Sequence, residues 1–186
     1  MRVTVWSDYL CPWCYLALDR EQLLEELGAE VVVRPYELHP EIPPEGTDLR
    51  DGGRTAAVFD RVGAECERVR LPFVRPRRSP NTRDVLAAAE HVRLTQPDRF
   101  GEVHRALFTA HFVEGRDLGD PGVVDDVVRA AGAEPGRDHA AVAASIAEAR
   151  DAGVTGTPAF LFDSGLLVPG VQPRDQLTRW VERMRR

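Results

Sequence analysis

Cys11 and Cys14 lie two residues apart in "SDYLCPWCYLALDREQLLEELG", residues 7–28, where a short apolar strand pattern gives way to a helical one. A thiolate is the reactive form of cysteine, and a free thiol with pKa ~8.5 is mostly protonated at neutral pH. A helix N-terminus carries roughly half a positive charge and unpaired N–H groups. Cys11, just before Pro12, would place its sulfur there, lowering its pKa and improving it as nucleophile and leaving group. Cys14, three residues on, is close enough to close a disulfide across the first turn. The pair therefore reads as a redox dithiol, with Cys11 exchanging with substrate and Cys14 resolving the mixed disulfide. Two other readings compete: two structural core cysteines, and half a zinc site. Zinc sites commonly need four ligands, yet Cys66 is isolated and there is neither H-x3-H nor a second C-x-x-C.

The elements that position these thiols follow from periodicity. "RVTVW" alternates and is rich in Val, which predicts a strand. A helix follows from about Pro12 to Leu27, with Leu16, Leu23, Leu24 and Leu27 near helical spacing and Gly28 as its stop. Pro12 suits the first helical position, where its missing N–H is unpaired anyway. "EVVVRPYEL" predicts a buried second strand, completing a βαβ unit. After the Pro/Gly loop "HPEIPPEGTDLRDGG" the pattern from Arg54 to Asp151 is almost entirely helical. Phe59, Val62, Cys66 and Val69 form one stripe; Phe100, Val103, Leu107, Phe108 and His111 mark another. Asn81 is the expected cap of a helix with Val85, Ala89 and Val92 on one side. Asp120 caps a further helix with Pro121 in its first turn and Gly132 at its stop, and Asp138 opens one ending near Gly153. "PAFLF" and "LLVPG", separated by "DSG", are a hairpin signature. A final helix begins near Pro173 and presents Leu177, Trp180, Val181 and Met184. The resulting α/β fold class has one layer split in sequence by helices: residues 1–45 and 152–186 build the sheet domain, and residues 46–151 form a helical insertion.

Composition narrows the function. The chain of 186 residues suits one large domain or one domain with an insertion. Its net charge of −6 argues against general nucleic-acid affinity, and all 24 basic residues are arginine. The longest apolar runs are too short to span a bilayer, and "MRVTVWSD" lacks the pattern of a secretion signal, so a cytoplasmic location is expected. Three cysteines are too few for a disulfide scaffold. In a reducing cytosol a close pair favours reactive or metal chemistry over a staple.

Several residues have plainer readings. Cys66 sits on an apolar stripe and is expected in the core. His39, in the loop after the second strand, is within range of the Cys11 sulfur, where a cationic ring would stabilise a thiolate, but a solvated loop His is the plainer reading. Trp13 is expected as an exposed aromatic that offers substrate an apolar contact or covers the insertion. His91, His104 and His111 fall on helices without a carboxylate at ligand spacing and read as surface or core residues. "RVRLPFVRPRRSP" reads as a solvated loop or the rim of an anionic substrate site. In "GVTGTPAFLF", Thr157-Pro158 directly precedes a strand, where proline supplies no ladder N–H.

"SDYLCPWCYLA", "RPYELHPEIP", "NTRDVLAAAEHV", "LFTAHFVEGRDLGD" and "DAGVTGTPAFLFDSGLLVPGVQP" together resemble the DsbA family of thioredoxin-fold dithiol oxidoreductases, in its FrnE-like, often cytosolic branch. The resemblance spans nearly the whole chain in motif order. It implies a thioredoxin-like fold with a helical insertion, Cys11 as attacking thiol, Cys14 as resolving thiol, and Thr157-Pro158 as a cis-proline loop facing them. Pro12, Trp13, His39, Thr157 and Pro158 would then face substrate. His39 stands where Asn is more usual in that branch, and Thr157 where Val is common. The expected activity is thiol–disulfide exchange with protein or small-molecule thiols and disulfides, glutathione among them. No bound cofactor and no metal are required, because the dithiol itself stores two electrons. Two alternatives share the architecture. One is a glutathione-dependent isomerase or transferase resembling 2-hydroxychromene-2-carboxylate isomerase, a group that typically carries serine where Cys11 stands. The other is a non-catalytic chaperone-like binding module. The partner set excludes nucleic acid and membrane and leaves the oligomeric state open.

Overall fold

Valine carries the central strand: Val3 and Val5 of "RVTVWS" are fully buried. β-Branched side chains pack well on a pleated surface. In the computed structural model, which describes residues 1–49 and 53–185, the order is β1 (Arg2–Ser7), α1 (Pro12–Glu26), β2 (Glu30–Pro35), β3 (Thr47–Asp48), α2 (Gly53–Arg68), β4 (Arg78–Ser79), α3 (Arg83–Thr95), α4 (Pro97–Phe112), α5 (Pro121–Ala130), α6 (His139–Asp151), β5 (Ala159–Phe162), β6 (Leu167–Pro169) and α7 (Arg174–Met184). Residues 50–52 of the Pro/Gly loop lie outside the described residues.

The four-stranded sheet runs β2-β1-β5-β6. β1 and β2 pair in parallel, Val3 against Val31 and Val5 against Val33. This is the geometry of a βαβ crossover through α1. Gly28, at φ +75, takes the left-handed turn that ends α1 and sends the chain into β2. β5 joins β1 antiparallel, with Phe160 opposite Val5 and Phe162 opposite Val3. The "DSG" turn then returns the chain as β6. Thus the two ends of the sequence make one sheet.

Three apolar clusters hold the layers. Val3, Val5, Ala17, Leu24, Phe160, Phe162, Leu177 and Val181 pack α1 and α7 against the sheet. Trp6, Ala149, Val154 and Ala159 form a smaller cluster that includes α6. The largest joins Cys14, Tyr15 and Leu16 of α1 to α2, α3, α4 and α5. α1 is therefore buried on two sides, against the sheet and against the helices. This explains why Arg20 and Glu21 are also buried on a helix whose leucine stripe alone suggests one apolar face.

Two details differ from the sequence-based expectations. Asn81 is not the cap residue of α3: Thr82 occupies the N-cap, and Asn81 accepts the Arg83 N–H at 3.1 Å while donating to the Ile42 carbonyl at 2.6 Å. Asn side chains readily bond a backbone N–H two residues on, and that local turn delays the helix by one residue. A two-stranded ladder, β3 with β4, also interrupts the helical block, pairing Thr47 with Ser79 and Asp48 with Arg78. Asp120 and Asp138 do cap their helices, accepting from Gly122 N–H and Ala141 N–H.

Cys66 is 0% exposed, and burial pushes its thiol up to about 12. It is protonated and inert at neutral pH. Cys66→Ala is expected to retain disulfide exchange and to cost on the order of 1 kcal/mol of stability, read from urea unfolding and insulin reduction run in parallel. A large activity loss with the fold intact would instead make it a redox centre.

Candidate functional site

Pro12 opens α1 and Cys11 is its N-cap, with extended backbone at φ −82 and ψ 114. Its carbonyl accepts the N–H groups of Cys14 at 3.0 Å and Tyr15 at 3.2 Å, while its own N–H donates to the Asp8 carbonyl at 3.1 Å. The first turn therefore places both thiols together at the positive end of the helix. Both are free thiols, Cys11 3% exposed and Cys14 0% exposed.

Their environments push them apart. The Cys14 side chain, the Thr157 hydroxyl and the Cys14 N–H draw the Cys11 thiol below its ordinary value, against the opposing effect of burial. Burial, reinforced by the adjacent Cys11 sulfur, raises Cys14 well above its ordinary value. One sulfur is thus drawn towards thiolate and its neighbour held as protonated thiol, the polarity that ordered exchange requires.

The chain's far end completes the site. Thr157 is 146 residues from Cys11, yet its carbonyl accepts from the Cys11 Sγ at 3.5 Å. The Thr157–Pro158 peptide is cis, and the Thr157 Oγ1 is buried with no hydrogen-bond partner. A groove of about 590 Å3 opens over Cys11, walled by Pro12, Trp13, Leu38, His39, Phe59 and Thr157 among others. Cys11, Pro12, Trp13, His39 and Thr157 therefore converge on one apolar depression. Pro158 lies beside Thr157 and lines a second, smaller cavity of about 270 Å3.

Trp13 corrects one expectation: it is half-buried, packed against the helical core with the Arg61 guanidinium 5.6 Å from its ring centre. An indole flanked by cation and core loses freedom that an exposed ring would keep. His39 is half-exposed, and its Nδ1 lies 2.8 Å from Glu41 Oε1. The ring thus has a carboxylate partner of its own beside the groove.

Two polar features escaped the sequence reading. Asp8, in the loop from β1 to α1, is 0% exposed; burial raises its carboxyl to about 6 despite hydrogen bonds from the Leu38 N–H and its neighbours. Its signal was the acid three residues before the first cysteine in "SDYLC". His104, 4% exposed, does have a carboxylate: its Nε2 lies 3.3 Å from Glu21 Oε2, and its Nδ1 is 2.9 Å from the Tyr9 hydroxyl. That pairing joins α4 to α1 and leaves no trace in local spacing. His111 is also buried, and burial lowers it to about 4, so it is a neutral core residue. Among the described residues no group of three His, Cys, Asp or Glu side chains gathers to hold a metal, and no helix is long and apolar enough to cross a membrane.

Comparison with solved structures finds relatives along the whole chain. A probable DsbA oxidoreductase from Streptomyces coelicolor is 25% identical, with a TM-score of 0.84 over 98% of this chain and 89% of that one. The cytosolic disulfide reductase DsbM from Pseudomonas aeruginosa, in a structure with glutathione, is 17% identical, with a TM-score of 0.67 over 99% of this chain and 98% of that one. A 2-hydroxychromene-2-carboxylate isomerase is 16% identical, with a TM-score of 0.71 over 99% of this chain and 94% of that one. The last two share the fold; their reactions differ. A search of curated proteins by sequence gives no match. The profile of the DSBA-like thioredoxin domain matches residues 2–182. With that match across nearly its full length, and a mixed sheet flanked by helices, the chain belongs to the DsbA family of thioredoxin-like proteins.

Proposed function

We propose that the protein is a thiol–disulfide oxidoreductase whose Cys11–Cys14 pair cycles between dithiol and disulfide. The observation that carries this reading is the pair of free thiols on the first turn of α1, with the Cys11 Sγ 3.5 Å from the Thr157 carbonyl; the opposed directions of the two thiols, Cys11 lowered and Cys14 raised, agree with it. The Cys11 thiolate attacks one sulfur of a substrate disulfide and expels the other as thiolate. Cys14 then loses its proton and attacks the Cys11 sulfur, releasing the second substrate thiol and leaving a Cys11–Cys14 disulfide. Two electrons pass to substrate, and the reverse sequence oxidises a dithiol. Pro12, Trp13, His39, Thr157 and Pro158 shape the substrate side, residues 46–151 act as a helical insertion in the sheet domain, and the cytosol supplies protein and small thiols, glutathione among them.

The test is insulin reduction run beside glutathione-dependent isomerisation of a chromene carboxylate. Turnover of insulin without the isomerase reaction supports the proposal; isomerisation that survives loss of both thiols overturns it.

Thr157 should set the rate of the first step. Its hydroxyl is buried with no hydrogen-bond partner of its own, near enough to the two thiols to draw both down. Thr157→Val keeps the shape and removes the donor. Alkylation of Cys11 at mildly acidic pH is expected to slow by about tenfold, the order of one hydrogen bond to a charged acceptor. An unchanged rate would mean the hydroxyl does not reach the thiolate.

A further inference from the structure

A further cavity, also of about 590 Å3, runs along the flank of α1 and shares no lining residue with the groove over Cys11. Its walls come from α1, α4, β2 and the turn after α2, with Leu18, Val33, Leu71, Phe100 and Val113 giving it apolar surface. A hollow of that size and lining suits a small organic molecule.

Two polar side chains break the apolar lining from within. Glu21 is 6% exposed and His104 4% exposed, and both line the cavity. Glu21 Oε2 and His104 Nε2 lie 3.3 Å apart but are not aligned as a hydrogen bond. His104 Nε2 and Glu21 Oε1 are buried without a hydrogen-bond partner, while His104 Nδ1 already meets the Tyr9 hydroxyl. Buried polar groups are nearly always paired, so an orphan acceptor beside a cavity marks a place for a ligand atom. A carboxylate only accepts hydrogen bonds, so that atom must be a donor. A metal ion answers this less well, because among the described residues no third His, Cys, Asp or Glu joins the pair.

The opening carries the opposite charge. Arg70 and Arg105 line it and are exposed, and neither has an acidic partner among the described residues. Exposed Glu25 offsets only part of their charge, and Asp19 is engaged with Arg20 at 2.6 Å and Arg174 at 2.5 Å. Arg70 is also the non-glycine residue with positive φ, +57, among the described residues. It ends α2 in a left-handed turn closed by the Leu71 N–H on the Cys66 carbonyl at 2.9 Å, a place that usually takes glycine. Arginine there carries backbone strain that glycine would avoid, and such strain collects where a side chain has a use.

We propose that this cavity binds a small zwitterion with a primary ammonium group at one end and a carboxylate at the other. The ammonium donates to Glu21 Oε1 at the buried end, an apolar body lies against Leu18 and Phe100, and the carboxylate faces Arg70 and Arg105 at the opening. An ammonium offers three donors and neutralises the buried carboxylate, which is costly to bury without a cation. A guanidinium matches a carboxylate with two parallel hydrogen bonds. The site stands apart from the thiols and does not depend on the dithiol reading.

The test titrates straight-chain ω-amino acids, from 4-aminobutanoate to 8-aminooctanoate, into the full chain by calorimetry, with hexylamine and hexanoate as one-ended controls. One chain length should bind best, and more tightly than either control. Glu21→Gln keeps the side-chain shape and removes the charge. It should weaken the amino acid and hexylamine on the order of tenfold and leave hexanoate unchanged. Arg70→Gly should weaken the amino acid but not hexylamine, while the thermal midpoint holds or rises because glycine relieves the turn. Lost affinity with undiminished stability separates a ligand contact from a structural role, and this readout stands even if Glu21→Gln fails to fold. No binding by any amino acid up to millimolar concentration overturns the site. So does a control that binds as tightly as the best amino acid, or an affinity unchanged in either folded variant.

Discussion

Cys14→Ser should leave Cys11 covalently joined to substrate, with turnover down on the order of a hundredfold or more and mixed disulfides visible by mass spectrometry. The expectation follows from the two environments on the first turn of α1. Cys11 is the sulfur drawn towards thiolate, so it makes the first bond; Cys14 is the sulfur that burial keeps protonated, so it acts only once Cys11 is engaged. Removing Cys14 removes the intramolecular resolving step and leaves only slow attack from solution thiols. Cys11→Ser should abolish the first bond itself, with no adduct. At mildly acidic pH, alkylation of the unmodified protein should fall on Cys11. Preferential labelling of Cys14 would reverse the assignment of roles.

Phe108→Ala is expected to cost about 3–5 kcal/mol, the usual range for truncating a buried aromatic. The ring of Phe108 is 0% exposed and meets Tyr9 at 4.8 Å, His104 at 5.1 Å, Tyr15 at 6.0 Å and Phe112 at 6.2 Å between centroids. Such ring pairs contribute beyond their buried area, roughly 0.5–1.5 kcal/mol each. Tyr9 belongs to the loop that presents Cys11, and Tyr15 follows Cys14 on α1. The cluster thus fastens the helical block to the segment carrying the thiols. Against a typical total stability of about 5–15 kcal/mol, the loss is large enough to appear as a clear shift in the urea midpoint. A change below about 1 kcal/mol would mean the site collapses around the missing ring.

Local pattern carried much of the architecture. β1, α1 and β2 were legible because valine alternation, Pro12 and Gly28 act within a few residues of themselves. The same holds for the Asp120 and Asp138 caps and for the hairpin around "DSG". β3 and β4 were not legible, since a two-residue strand has no period and depends on a distant partner, Thr47 on Ser79 and Asp48 on Arg78. Asn81 misled for a related reason: its side chain can cap a helix or close a turn, and contact with Ile42 accompanies the turn.

The sequence by itself determined that two thiols sit at a helix start, because C-P-W-C after a strand specifies helix polarity and spacing without help from elsewhere. Only the tertiary structure decided what surrounds them. Thr157 reaches Cys11 because β5 pairs with β1 across most of the chain's length. Glu21 finds His104 because α1 is wedged between sheet and helices. Asp8 becomes a buried acid because β2's following loop and the start of α3 close over it. Burial, and the pKa it shifts, is a property of where distant segments come to rest, and no residue's nearest neighbours in sequence encode it.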